Sequence, residues 1–395
     1  MKSINFTVKT ITPTLMGGGF GQNDDIRPSE IKGMMRYWFR AVAGVVVGDD
    51  IKALKLLEEK VFGSQERKSP FRILIINKKL KYLDKNSSEF QFSNKMNGLI
   101  YLGIGNVLFK YDRKTKSFKF NDEKINMIAP NSTFSVKFLF SPSLRPEIKR
   151  LIALSFYLAT VFGGFGLRAR RGFGSWQIVK SNVKIQDLEF NEYIEKDIRR
   201  AVELSINNIN SLTDKRGNLN KLPNIPVLKE VCYKFSQINT NHRNWEDLFY
   251  NFGAYYRGYR ENPDTPQKSD FSKKHTKDYD DILDFVNGDI KNLKLRNPVF
   301  GLNIQYSSSS NRNFKASVIL KGKEILRRSS PMFVSVKEID GALSLNLSVF
   351  YSKFRPENSK ILLKTNGMTP VKIYGYKIID NFINWVSKEM QGRTK

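Results

Sequence analysis

The chain is poor in the residues that build most metal and redox sites. Its 395 residues include one cysteine, Cys232, and two histidines, His242 and His275. A single thiol excludes an internal disulfide framework, and this set cannot assemble a Cys/His zinc cluster. Such usage fits a reducing, cytoplasmic setting, although a secreted protein without disulfides would look the same. Acid is scarce too. Against 66 Lys and Arg stand 38 Asp and Glu, a formal net charge of +28. That imbalance calls for a polyanionic partner, nucleic acid first and an acidic membrane surface second. Long apolar runs are also missing. Met1 to Phe6 lacks the apolar core of a signal peptide. One uncharged stretch, between Arg150 and Arg168, falls short of the roughly 20 apolar residues of a membrane span. It reads as a buried helix that runs into a glycine-rich loop.

That loop, residues 163–175, is the most informative segment present. Gly163, Gly164, Gly166, Gly172 and Gly174 alternate with Arg168, Arg170, Arg171, Phe165 and Phe173, and no acid lies among them. Glycine permits φ > 0 and close backbone approach to a ligand. Arginine offers a planar fork matched to phosphate. Phenylalanine offers a face for base stacking, or an anchor for the loop. A polyanion carrying aromatic rings, RNA, suits all three. The bland alternative is a glycine turn that only reverses the chain. Gly164-x-Gly166-x-x-Ala169 formally meets a dinucleotide fingerprint, but it follows a helix and precedes a strand, the reverse of that motif's setting. No cofactor is called for.

The order of elements supports an α+β fold. Ile4, Phe6 and Val8 alternate with polar residues as a half-buried strand. After Gly17-Gly18-Gly19, Ser29 can cap a helix presenting Ile31, Met35, Trp38, Val42 and Val46. Phe71 to Ile76 reads as a buried strand, and Phe134 to Phe140 as an alternating one. A helix from Pro146 precedes the glycine loop, and a strand near Trp176 to Val183 follows it. This order approximates the split β-α-β unit of ferredoxin-like domains. The expected division is residues 1–188 and 189–395, two ferredoxin-like (RRM-like) domains in tandem with insertions. In the second, helices are expected over 192–209, 244–258 and 378–390. Strands are expected through Phe300 to Tyr306 and Leu343 to Val349. Residues 261–281, with little to bury, read as a mobile loop.

Three further constellations bear on chemistry. Lys32, Arg36 and Arg40 recur at i, i+4, i+8 on the first helix, either a phosphate-binding stripe or a solvated face. Lys321, Lys323, Arg327 and Arg328 precede a strand, where they can bind phosphate or protect an edge. Asp24 and Asp25 could activate a ribose hydroxyl, help hold a metal or form a solvated turn. Neither histidine has an evident catalytic partner.

The segment Ile26-Arg27-Pro28-Ser29-Glu30-Ile31-Lys32-Gly33-Met34-Met35-Arg36 resembles the signature of RAMP proteins, the repeat-associated subunits of CRISPR RNA complexes. Arg36 to Ala41, Val61-Phe62-Gly63-Ser64, the glycine loop and Arg327 to Phe333 narrow the resemblance to the first-numbered RAMP subunit of type III-B effector complexes. The resemblance implies tandem ferredoxin-like domains and a non-catalytic subunit holding the 3′ part of a guide RNA and its target duplex beside other RAMP subunits. It implies RNA contact at Lys32, Arg36, Arg40, Arg168, Arg170, Arg171, Arg327 and Arg328. Gly164, Phe165, Gly166, Gly172 and Phe173 complete the expected contact set. The alternative within the same superfamily is a metal-independent endoribonuclease that processes guide RNA, which the scarcity of histidine disfavours. A third reading is a protein-binding scaffold using exposed alternating strands late in the chain.

Overall fold

The computed structural model describes residues 2–16, 25–83, 96–104, 109–112, 117–120, 127–219, 222–272, 275–307 and 314–391. Gly17-Gly18-Gly19 and Asp24 lie outside them. The chain forms two compact units. The first comprises residues 1–91, 106–245 and 333–352, and the second the remainder. A single cut at 188/189 does not describe this division, because residues 189–245 and 333–352 return to the first unit.

The first unit begins with β1 (Ser3–Thr10), whose even-numbered residues are buried while the odd ones are half-covered. α1 (Pro28–Val47) follows. It starts one residue before Ser29, because Pro28 takes the first helical position, where no N–H is needed. Arg27 occupies the cap, without a side-chain hydrogen bond. α2 (Ile51–Phe62) is capped by Asp50, which accepts from the Ala53 N–H at 2.9 Å. Then come β2 (Phe71–Lys79), β3 (Thr133–Phe140), α3 (Pro146–Phe162) and β4 (Trp176–Ser181). Their antiparallel sheet has the order β2-β3-β1-β4. With α1 and α3 as the two crossovers, this is the ferredoxin-like arrangement, with α2 inserted. β2 is an edge strand in which Phe71 alone is buried, so the expected buried strand is half-solvated. α3 is buried from Leu151 to Phe162, which accounts for the uncharged run. Among the described residues no helix is long and apolar enough to cross a membrane.

α4 (Glu195–Asn210) packs on α3 and α1, which is why the first unit extends past residue 188. β5 (Tyr233–Asn239), β6 (Met332–Ile339) and β7 (Ala342–Phe350) form a second sheet in the order β6-β7-β5. β7 is buried on both faces, including Ser344, Asn346 and Ser348. Some polar atoms of this strand are paired inside: Gln237 donates to the Asn346 side-chain oxygen at 3.2 Å and the Ser344 hydroxyl to the Ile238 carbonyl at 3.2 Å, whereas the Asn346 amide nitrogen is buried without a partner among the described residues. The expected exposed alternating strand from Leu343 to Val349 is therefore a core strand.

In the second unit, α5 (Trp245–Glu261), α6 (Lys277–Asn287) and α7 (Lys377–Met390) accompany a sheet centred on strand Lys315–Lys321. That strand pairs with Ile304–Ser307 and Lys360–Lys364. Tyr256, Tyr259, Phe300 and Phe382 interlock in its core. The expected strand from Phe300 begins only at Ile304, since Asn297–Phe300 forms a 3-10 turn. Nor is 261–281 an unanchored loop. Buried Glu261 pairs with Arg257 at 2.6 Å and accepts from the Ser269 hydroxyl at 3.0 Å. Asp264 binds Arg296 at 2.8 Å, and Lys277 onward is helix, capped by Thr276.

Candidate nucleic-acid interface

The glycine loop is a rigid structure built on its own chain. The Leu167 N–H donates to the Leu15 carbonyl at 2.7 Å, the Gly174 N–H to Pro13 at 2.8 Å and the Phe165 N–H to Gly174 at 2.9 Å. The Thr12 hydroxyl donates to the Gly172 carbonyl at 2.7 Å and accepts from the Ser175 N–H at 3.0 Å. Phe165 stacks on Trp176, ring centroids 4.0 Å apart, and the Trp176 indole N–H donates to Thr14 at 3.0 Å. Phe165 and Phe173 are both fully buried. Both therefore anchor the loop, and neither is placed to stack on a base.

The glycines require the same correction. Gly164 and Gly172 are buried. A Cβ on Gly164 would lie 2.7 Å from the Phe173 carbonyl oxygen, and one on Gly166 (φ +90°) 2.2 Å from that of Leu15. What these positions admit at close range is the protein's own backbone. They fix the turn that carries the arginines.

Arg168 opens a short 3-10 turn, Ala169–Arg171, in left-handed conformation with φ 61°. A non-glycine residue pays about 1 kcal/mol or more in that region and stays there when the surroundings hold it. Arg168 is exposed, and Arg170 and Arg171 are half-buried. Partial burial and the neighbouring Arg171 charge both lower the Arg168 pKa. Arg170 lies over Phe333 at 4.2 Å and within 5.6 Å of the Tyr37 ring of α1, so cation–π contact with this aromatic pair, whose rings touch each other at 5.7 Å, fixes its direction. Burial holds the Tyr37 phenol above its usual range, against the opposing pull of Arg170. Tyr37 and Phe333 are the positioning residues that sequence reading missed. The periodic aromatic at 37 gives a signal, whereas Phe333 comes from a hairpin some 160 residues downstream of the loop.

The α1 stripe faces α2. Arg36 reaches Glu58 at 2.8 Å and donates to the Gly63 carbonyl, and Arg40 reaches the other oxygen of Glu58 at 3.0 Å. Lys32 donates to the Ser69 hydroxyl at 2.7 Å and lies over Phe71 at 5.0 Å. Burial, and then Arg36, lower its pKa. Arg36 and Arg40 thus serve first as struts between two helices, while the single carboxylate they share leaves one positive charge of the pair in excess. Glu58→Gln should lower stability by about 2 kcal/mol by stranding both guanidinia, read as a lower urea midpoint at unchanged slope. An unchanged midpoint would show that the struts carry no load.

Arg327 and Arg328 belong to the second unit. Arg327 is exposed. Arg328 turns inward over Phe354 at 4.3 Å and donates to the Lys353 carbonyl at 3.2 Å and to the Tyr376 hydroxyl. Asp25 pairs with Lys78. His275 stacks on Tyr279. Among the described residues no cluster of three or more His, Cys, Asp or Glu could hold a metal ion.

Residues 7–180 match the RAMP superfamily. Over 365 residues, 89% of this chain and 88% of the relative, the sequence is 30% identical to CRISPR system Cmr subunit Cmr1-1 of Pyrococcus furiosus. The chain is a RAMP protein of the Cmr1 family. A second relative, Cmr1-2 of the same organism, is 33% identical over 177 residues, 44% of this chain and 93% of that one. The crystal structure of apo Cmr1 from Pyrococcus furiosus superposes with a TM-score of 0.61 at 21% identity, covering 99% of this chain and 97% of that one. A chain of the type III-B Cmr-beta cryo-EM structure with cognate target RNA, AMPPnP and ssDNA gives 0.51 at 11% identity, covering 98% and 99%. The fold is thus shared with Cmr1 end to end.

Proposed function

We propose that this Cmr1-family chain is a non-catalytic RNA-binding subunit of a cytoplasmic type III-B CRISPR ribonucleoprotein. It holds the 3′ part of the guide RNA and its target duplex beside neighbouring RAMP subunits. Near-full-length similarity to a Cmr subunit supports the assembly. The observation that carries the RNA reading is the hydrogen-bonded turn presenting Arg168, Arg170 and Arg171, with Arg170 seated on the Phe333 ring beside Tyr37. Guanidinia fixed in this way keep their directional donors for phosphate oxygens at little entropic cost. Sequence is then read by guide–target pairing, and base preference is weak. Lys32 and the outer faces of Arg36 and Arg40 add positive field more than direct contacts, and Arg327 offers a separate contact on the second unit.

In salt titrations, log K for a single strand should fall by about 0.7 per neutralised phosphate for each tenfold rise in salt. Arg168, Arg170 and Arg171 replaced together by alanine should flatten that slope by about 2, with the thermal melt shifted by only a few degrees. An unchanged slope removes the loop from the interface. Specific cleavage of repeat RNA by the purified chain in EDTA would replace the binding reading with the endoribonuclease one.

A further inference from the structure

A basic cleft occupies the opposite end of the first sheet. Its volume is about 720 Å³, and its walls come from three separate segments. Lys60 closes α2, Arg67 and Lys68 lie in the turn before β2, Arg72 is on the edge strand, and Arg145 immediately precedes α3. All five cations are exposed, and among the described residues no acid lines the cleft. Lys60 donates to the Leu212 carbonyl at 3.3 Å. Arg145 donates to the Ser211 carbonyl at 3.2 Å and pairs with Glu147 at 3.3 Å. Arg67, Lys68 and Arg72 form no ion pair with a described carboxylate, so their charge is uncompensated across the cleft mouth.

Strand register fixes the cleft's position. Phe71 pairs with Phe140, and Leu139 with Ser3, at the cleft end. Thr10 pairs with Trp176, where the glycine loop enters the sheet, at the other. The length of β1, at 3.3 Å per residue, separates the two by roughly 23 Å. They are distinct sites on one compact unit.

We propose that this cleft is a second phosphate-backbone site for single-stranded RNA, one that rests on the reading of the chain as an RNA-binding protein. The arrangement favours a strand over a lone anion. A small anion is held by convergent, desolvated donors, whereas here the cations are solvated and spread along an open trough, as in grooves that track a backbone. Its volume lies within the roughly 300–1,000 Å³ of ordinary ligand sites, which is room for more than a single phosphate. A strand longer than the separation engages the loop and the cleft together, and each then raises the effective concentration of RNA at the other.

The test compares the full chain, the Arg67/Lys68/Arg72→Ala variant and the Arg168/Arg170/Arg171→Ala variant, using labelled oligouridylates of 6 and 30 nucleotides over a salt series. Because the cleft cations are exposed, the cleft variant should keep its thermal melt. It should bind the 30-mer roughly tenfold more weakly at 0.1 M salt and lose about 2 from the salt slope. In the wild-type chain, 4-thiouridine in the 30-mer should cross-link to the peptide containing residues 67–72. An unchanged slope in the cleft variant, with a flattened one in the loop variant, overturns the cleft and leaves the loop reading intact. Unchanged slopes in both overturn both. Saturable binding of uridine monophosphate that is lost in the cleft variant, without any change in 30-mer affinity, shows a nucleotide pocket and likewise overturns the proposal.

Discussion

Gly174→Ala should cost about 3 kcal/mol or more, and with it the defined shape of the arginine turn. Gly174 sits at φ +65°, and an added Cβ would lie 1.9 Å from the Phe165 carbonyl oxygen. The left-handed conformation alone costs an L-residue about 1 kcal/mol, and here the obstacle is backbone, which has no rotamer by which to move aside. Relief demands separating the strand-like pair in which the Phe165 N–H donates to Gly174, and that in turn disturbs the Phe165–Trp176 stack. Gly33→Ala supplies the control. Gly33 lies within α1, and nothing approaches within 4 Å of the position an alanine methyl would take. That change should stabilise by up to about 1 kcal/mol through helix propensity. Urea unfolding of the two variants should displace the midpoint in opposite directions. Equal midpoints would mean that the loop yields freely and that its arginines are not held.

Lys337→Met should stabilise the protein most at and below neutral pH. Lys337 is fully buried on β6, its ammonium donating to the Trp176 carbonyl at 2.8 Å above the Tyr193 ring, without a carboxylate partner among the described residues. Burial pushes its pKa down to about 7, against about 10.5 in the unfolded chain. Below pH 7 both states carry the proton, and the folded state bears the full cost of a buried charge. Between pH 7 and about 10 the unfolded chain binds more protons, so stability rises with pH across that window. The span corresponds to something on the order of 4 kcal/mol. Methionine removes the charge at similar length. Wild-type Tm should climb from pH 7 to 9 relative to the variant, and the variant should exceed it at pH 6. Parallel Tm curves across this range would show that Lys337 is hydrated or paired in the folded state.

The first unit was largely legible because its periodicities are long and unbroken. β1, α1, α3 and β3 each carry a clean alternation or a wide apolar stripe, and their order points to the ferredoxin-like topology. The loop was legible as a place but not as a mechanism. A glycine required for close approach to a ligand and one required for close approach to Leu15 or Phe165 look identical in sequence. The α1 stripe misled for a related reason: i, i+4, i+8 spacing puts three cations on one face without revealing that Glu58 on the next helix meets two of them. The cleft was invisible because Arg67 and Arg145 are neighbours only through the pairing of β2 with β3. In the second unit, the Pro-, Lys- and Asp-rich stretch around 261–281 looks unable to bury anything. It is held by Glu261, Asp264 and Asp278, polar residues whose burial depends on partners that periodicity does not specify.

The hairpin of β6 and β7 has a bearing on how the molecule is made. The second sheet of the first unit needs strands that the ribosome delivers about a hundred residues after β5. Until the β6–β7 hairpin has emerged from the exit tunnel, Trp176 and the end of α3 lack their cover, and Arg170 lacks the Phe333 ring. The nascent N-terminal half must wait in an incomplete state while the second unit is being synthesised. Emergence of the β6–β7 hairpin, rather than completion of the first 245 residues, is therefore the point at which the arginine turn takes its final support.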